Sequence, residues 1–444
     1  MAADDTIVAL ASGPLPSAIA LVRISGPDVR RIVRSFLTVP DLLDAKATLT
    51  CLQCTEGNRI DQVIATWFHG PRSYTGEDLL ELGVHGGRAV VSKALEALTS
   101  LPDVRLAEPG EFTKRAVLSG KIDLLEAEGI ADLVDAETEA QRKLAFSQLD
   151  GRSSAVFADW HRQLVEAMAL VEVAVDFPDE EDAPDFTHGP VLDRLGKLAG
   201  DLDSAVDGAQ AGMQIRDGVS IAIIGAPNAG KSTLLNRLAA RDVAIVTDRP
   251  GTTRDVIEVP LNLGGYLVRL SDTAGLRDSD DPIETEGIRR AMAAAQEADL
   301  VLGVFDAAEE ITPPEIFSEV SPDIIVASKA DLLGQPQSVS RETLLVSAKT
   351  GEGIPNLLAE LQTRIEGVTS SSSHLLVTRE RHLKALTLAR DSILLAMAGL
   401  ESGMGAELVA EDLRLAGRQL EAVLGRVDVE DILGRIFSTF CIGK

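Results

Sequence analysis

Cysteine, aromatic residues and positive charge are all scarce in this chain. Three cysteines among 444 residues, Cys51, Cys54 and Cys441, offer no disulfide framework and point to a reducing compartment. Aromatics make up 3 %, so the 45 % hydrophobic content must fill its cores mostly with Leu, Val, Ile and Ala. Lys and Arg number 42 against 69 Asp and Glu, a formal charge of −27. Such a chain does not grip a polyanion over a broad surface, because phosphate backbones are held by clustered cations. Any nucleic acid would need a local patch or a basic partner. No apolar run reaches the ~18 residues of a membrane span. The start, MAADDTIVALAS, lacks both the cationic region of a secretory signal and the Arg-rich pattern of a transit peptide. The expectation is a soluble cytoplasmic protein of about three domains.

Three compositional regions follow. Residues 1–118 hold short apolar runs broken by Gly and Pro, which reads as an α+β domain. From 119 to 216 the pattern turns helical: Val156, Trp160, Leu164, Met168, Val171 and Val175 recur at steps of three and four, ending near Phe177-Pro178 and an acidic run, 179–182. Residues 217–368 alternate strand and helix (VSIAIIG, VIEVPLNL, GGYLVRLSD, DLVLGVFDA, DIIVASK, TLLVSA), the βαβ pattern of a doubly wound, mostly parallel sheet. A serine-rich linker, 369–373, precedes a second helical stretch, 379–444. The fold class expected is therefore multidomain α/β plus α, with the α/β module inserted into a helical domain.

The inserted module carries the chemistry. GAPNAGKS at 225–232 has the spacing G-x-x-x-x-G-K-[ST] between the apolar run Ile221–Ile224 and a helix beginning near Thr233. Its glycines let backbone N–H groups, among them those of Ala229 and Gly230, face phosphate oxygens. Lys231 reaches the terminal phosphates, and the Ser232 hydroxyl ligates Mg²⁺. Asp272-Thr273-Ala274-Gly275 follows a strand, where the Asp serves Mg²⁺ and the Gly N–H the γ-phosphate; Thr252 and Thr253 sit where a switch threonine closes. Ser328-Lys329-Ala-Asp331 reads guanine, since one carboxylate accepts from both N1 and N2 donors, and Ser347-Ala348-Lys349 backs the base. Together they specify GTP. The first position of the guanine reader is usually Asn; the shorter Ser328 hydroxyl is expected to lose contacts to base and P-loop, weakening affinity while guanine preference is kept. Leu276 stands where a water-orienting Gln is common, and no cis arginine finger is evident. Asn228 inside the P-loop and the loop 247–252 instead offer oxygen donors for a monovalent cation.

GAPNAGKS, PGTTRD, DTAGLRD, SAKTGEG and the terminal FCIGK together resemble the tRNA modification GTPase family MnmE, also called TrmE, over the whole chain. SYTGEDLLELGVHGG, EPGEFTKRAVLSGKIDLLEAEGIADLVDAET and AVDFPDEE match family segments in order, whereas SGPLPSAIA and the Cys51/Cys54 pair depart from them. The resemblance implies an N-terminal domain that binds 5-formyltetrahydrofolate or 5,10-methylenetetrahydrofolate and joins a homodimer, with Arg23, Glu81, Lys121 and Lys444 as folate contacts. It implies K⁺ held by Asn228, Thr247, Arg249 and Thr252, Mg²⁺ held by Ser232 and Thr253, and Glu284 orienting the attacking water. It also implies a partner, the FAD-containing MnmG (GidA), with which the family installs a carboxymethylaminomethyl or aminomethyl group at C5 of the wobble uridine of certain tRNAs. It implies that the tRNA is held mainly through that partner, in a heterotetramer, so the acidic chain need not carry the tRNA-binding surface. A GTP-dependent ribosome-assembly or regulatory switch protein is the alternative; the charge and the lack of a basic appended module speak against it.

Other residues carry plainer expectations. Cys51-Leu-Gln-Cys54 has the spacing of half a zinc site without a second half, so two free thiols in a loop are expected. Cys441 sits in CIGK beside Lys444 and is a candidate for the modification chemistry. His85 is expected to be a satisfied structural histidine.

Overall fold

Alternation builds the first sheet. In β2 (Ile19–Ser25) every second residue, Ala20, Val22 and Ile24, is buried, and β4 (Arg59–Phe68) repeats this with Val63, Ala65 and Trp67. A period of two turns one strand face to the core and the other outward. With β1 (Thr6–Leu10), β3 (Thr48–Gln53), β5 (Leu79–His85) and β6 (Val104–Leu106) they form a six-stranded sheet in the order β3-β4-β5-β2-β1-β6. The helix Val29–Phe36 buries Val29, Ile32, Val33 and Phe36, spaced to make one apolar stripe, in the same core as the inward residues of the sheet.

The computed structural model describes residues 5–176, 189–240, 258–272, 292–293, 295–309, 312–314, 316–333, 343–369 and 375–426, and positions 434, 436–437, 440 and 443. The chain divides into two units: Met1–Ala131 with Gln148–Arg162 and Gly417–Lys444, and Asp132–Ser147 with Gln163–Ala416. The first unit contains the sheet just described. Its helix Glu111–Leu118 is tied down by ions: Arg115, 7 % exposed, pairs with Asp5 at 2.7 Å, Glu111 at 3.1 Å and Glu77 at 3.2 Å, while Arg105 reaches Asp5 and Glu111, both at 2.6 Å.

The second unit contains a sheet of order β12-β11-β10-β7-β9-β8: β7 (Val219–Ile224), β8 (Glu258–Leu263), β9 (Tyr266–Asp272), β10 (Leu300–Asp306), β11 (Ile324–Ser328) and β12 (Thr343–Leu345). All pairs are parallel except the β8–β9 edge hairpin. Every residue of β10 is buried, as a strand covered on both faces requires. Two clusters line those faces, one around Ile223, Leu234, Val304 and Leu357, the other around Ile224, Phe305 and Phe317. The same unit holds the helices Pro190–Asp207 and Glu380–Glu401. The helix expected from Val156 onward spans Arg152–Asp176. The acidic run 179–182 and the linker beyond Thr369 lie outside the described residues.

Candidate nucleotide site

β7 delivers the chain to the P-loop, and the helix Lys231–Ala239 carries it away, starting two residues before the expected Thr233. Gly225 has φ +152°, and a Cβ there would stand 1.9 Å from the Val304 carbonyl oxygen of β10. Only a residue without a side chain fits that crossing. Asn228 adopts φ 63°, a conformation Asn tolerates better than most residues. Lys231, 5 % exposed, folds its ammonium back over the curl and donates to the Gly225 and Ala226 carbonyls, both at 2.8 Å. The charge thus lies over the backbone that would meet an anion. Ser232 and Thr233 are exposed at the head of the helix, where the dipole favours negative charge.

The segment expected to read guanine, Ser328–Asp331, is joined directly to this loop. The Ser328 hydroxyl donates to the carbonyl of Ala229. Of the contacts serine was expected to lose, this one to the P-loop is kept, because β11 ends so close to the loop that the shorter side chain still reaches it. Lys329, in the left-handed region at φ 57°, extends its ammonium to Asp306 at 2.5 Å. Burial alone would raise the Asp306 carboxyl, but hydrogen bonds from Lys329 and the Ala308 N–H, with the lysine's charge, hold it below the ordinary range. The bond to Asp306 in turn raises Lys329. Asp306 escaped the sequence reading. Its only signal is a carboxylate ending a fully apolar strand, and register places it opposite Ser328. Asp331 is exposed; its Oδ1 accepts from the Ser347 hydroxyl at 2.6 Å, and Ser347 accepts from the Thr350 N–H at 3.1 Å. One carboxylate is thereby oriented by a turn that is itself anchored, with Ala348 and Lys349 inside it. Asp272 ends β9 opposite Ile223. Thr247, Arg249, Thr252, Thr253, Thr273, Ala274, Gly275, Glu284, Cys441 and Lys444 lie outside the described residues.

In the first unit, Arg23 and Glu81 face each other across β2 and β5 and form an ion pair at 2.7 Å. The guanidinium also lies 5.8 Å from the ring centroids of both Tyr74 and Phe112 and donates to the Gly443 carbonyl at 3.4 Å. Lys121 turns its ammonium to the Pro71 carbonyl at 2.6 Å. His85 donates its Nδ1–H to the Asp61 carboxylate at 2.8 Å, as a satisfied histidine should. Cys51 and Cys54 are free thiols, but Cys51 belongs to β3 rather than to a loop, because its backbone pairs with Gln62. Among the described residues no group of His, Cys, Asp and Glu is set to hold a metal, and no helix is long and apolar enough to cross a membrane.

A family profile described as GTP-binding protein TrmE N-terminus matches residues 6–121, and one described as MnmE helical domain matches residues 124–441. The tRNA modification GTPase MnmE of Hyphomonas neptunium is 50 % identical over 445 residues, covering 100 % of both chains. The chain belongs to the MnmE family of tRNA modification GTPases. The MnmE of Phenylobacterium zucineum is 48 % identical, over 99 % of this chain and 100 % of that one, and the MnmE of Mesorhizobium japonicum 44 %, over 100 % of both. Among solved structures, Aquifex aeolicus Era bound to GDP.AlF4- is similar at 25 % identity over 40 % of this chain and 67 % of that one, with a TM-score of 0.27. The chain is multidomain α/β plus α, as its family requires, and the mostly parallel order β12-β11-β10-β7-β9-β8 agrees with a P-loop GTPase fold in one part.

Proposed function

We propose that this chain is a potassium-stimulated GTP hydrolase that acts with a flavoprotein of the MnmG (GidA) type. Together they add a carboxymethylaminomethyl or aminomethyl group at C5 of the wobble uridine of certain tRNAs. The coarser part follows from family membership: the chain is a GTPase of tRNA modification. The observation that carries the nucleotide reading is the join between phosphate loop and base reader, where Ser328 bonds to Ala229 while Ser347 orients Asp331.

The residue roles follow from that join. Lys231 moves from the loop carbonyls to the terminal phosphates, and the N–H groups from Asn228 to Thr233 wrap them. Asp331 selects guanine, Lys329 flanks the base with its stem, and Ala348 and Lys349 close the far side. Ser232 and Thr253, both hydroxyl donors, suit Mg²⁺, while the oxygens of Asn228, Thr247, Arg249 and Thr252 suit K⁺. The two ions would supply positive charge at the phosphates, the task an arginine finger performs elsewhere. Asp272 supports the Mg²⁺ side, Thr273, Ala274 and Gly275 contact the γ-phosphate, and Glu284 orients water. In the N-terminal domain, 1–118, the Arg23–Glu81 pair beside two aromatic rings offers charge and flat faces to a folate, with Lys121 and Lys444 for its carboxylates. Cys441 serves the modification chemistry. Residues 217–368 form the inserted GTPase domain between helical parts 119–216 and 379–444. A homodimer through the N-terminal domain is supported by the outward row of its sheet, where Leu49 pairs with Ile64 across β3 and β4 and both stay exposed, at 63 % and 52 %. The setting is the cytoplasm.

The test compares GTP turnover in KCl and NaCl at matched ionic strength, together with a 5-formyltetrahydrofolate titration and mass spectrometry of wobble nucleosides from cells lacking the gene. Faster turnover in KCl and loss of the modified nucleoside are expected. Turnover indifferent to the alkali ion removes the potassium role, and intact nucleosides remove the tRNA reaction.

A further inference from the structure

Three elements far apart in sequence meet at one carboxylate. Asp132 lies near the end of the helix Leu124–Asp135 and accepts from Arg216 Nε at 3.1 and 3.3 Å and from Arg379 Nη2 at 2.8 Å. Its side chain is 15 % exposed, and those of the two arginines 27 % and 20 %. Arg216 stands three residues before β7, so it closes the incoming connection of the nucleotide-binding module. Arg379 is the N-cap of the helix Glu380–Glu401 and closes the outgoing one.

Neighbouring contacts pull the same two connections together. Gln141 donates its side-chain amide to the Arg216 carbonyl at 2.9 Å. A Cβ at Gly212 would stand 2.1 Å from the Val377 carbonyl oxygen, so the incoming helix and the outgoing chain touch backbone to backbone. Arg269 of β9 donates to the Asp217 carbonyl at 2.8 Å, which fastens the sheet to the incoming connection. An insert held by two chain connections turns about the line between them. Whatever fixes both connections to a third element sets how far a movement of the insert reaches that element.

We propose that Asp132 is a positioning residue that clamps both connections of the GTPase module to the helical segment, so that nucleotide-driven movement of the module is transmitted to the helices. The inference rests on the GTPase reading above. A carboxylate shared by two guanidiniums makes the clamp a single unit: losing it frees both connections at once.

The test uses the full chain with Asp132→Asn, which keeps the shape and removes the charge. Hydrogen exchange should rise about ten-fold at both 214–217 and 377–380 together. GTP turnover should stay within about two-fold, while wobble-uridine modification in complemented cells falls about ten-fold. Arg216→Gln and Arg379→Gln should each add little to Asp132→Asn, because all three remove the same contact. Exchange that rises at one connection only, modification at the wild-type level, or additive arginine effects would overturn the clamp. Should Asp132→Asn unfold the chain, the double variant Arg216→Lys with Arg379→Lys, which keeps both charges and loses the guanidinium geometry at both connections, gives the same readouts. A wild-type chain that hydrolyses no GTP would sink the GTPase reading instead, a result separate from any difference between wild type and variant.

Discussion

Ser328 shows how one side chain can satisfy a site by a different route from the usual one. Its hydroxyl holds the Ala229 carbonyl, so β11 and the P-loop are stitched by a neutral hydrogen bond. Such a bond contributes about 1 kcal/mol, and Ser328→Ala is expected to weaken GDP affinity about five-fold in a fluorescent-nucleotide titration. Preference over ATP should survive, because Asp331 and its brace from Ser347 are untouched. The P-loop curl and the Ser328–Asp331 turn could be picked out in the sequence because each is a contiguous segment whose geometry is local. The Ser328 tie could not: it joins residues 99 positions apart, and only the β7–β10–β11 stacking brings them together. Asp306 was hidden for the same reason, as a lone carboxylate meets Lys329 only once two parallel strands are in register.

At the scale of an element, the helix Glu111–Leu118 depends on ionised carboxylates. Burial alone would raise Glu111 and Asp5, yet hydrogen bonds from Arg105 and Arg115 outweigh it and hold both below the ordinary carboxylate range. A carboxyl with a depressed folded-state pKa adds stability that is complete above its unfolded pKa of about 4 and is lost as pH falls through the lower folded value. The melting temperature is therefore expected to hold steady from about pH 8 to 5.5 and to drop below about pH 4. Glu111→Gln should lower it at neutral pH and flatten the acid limb, as differential scanning calorimetry across pH would show. Periodicity announced the helices and the apolar strands correctly, since their buried positions recur at 3.6 or 2. It was silent on this cluster, where Asp5 and Arg115 are 110 positions apart.

The whole molecule carries a charge of −27, and that bears on how tRNA is met. Counterion release from a polyanion needs clustered cations, so the chain alone should bind tRNA weakly and with a shallow dependence on salt. Filter binding from about 50 to 200 mM KCl should show a much steeper slope once the proposed flavoprotein partner is added. A steep slope for the isolated chain would place the tRNA surface here instead. The Arg23–Glu81 pair was reached through family resemblance, and cross-strand register accounts for its geometry; Asp132 was reached by neither route, because its partners, Arg216 and Arg379, lie 163 positions apart.

Gly443 has φ +98° and packs its α-carbon against the backbone of Leu10, where a Cβ would stand 2.2 Å from the carbonyl oxygen, while its own carbonyl receives Arg23. Alanine at 443 therefore works as a wedge. One added methyl pries position 443 from the end of β1 and releases the guanidinium, yet touches nothing in the P-loop, which makes it a scalpel for separating the role proposed for the Arg23 pocket from the GTP cycle.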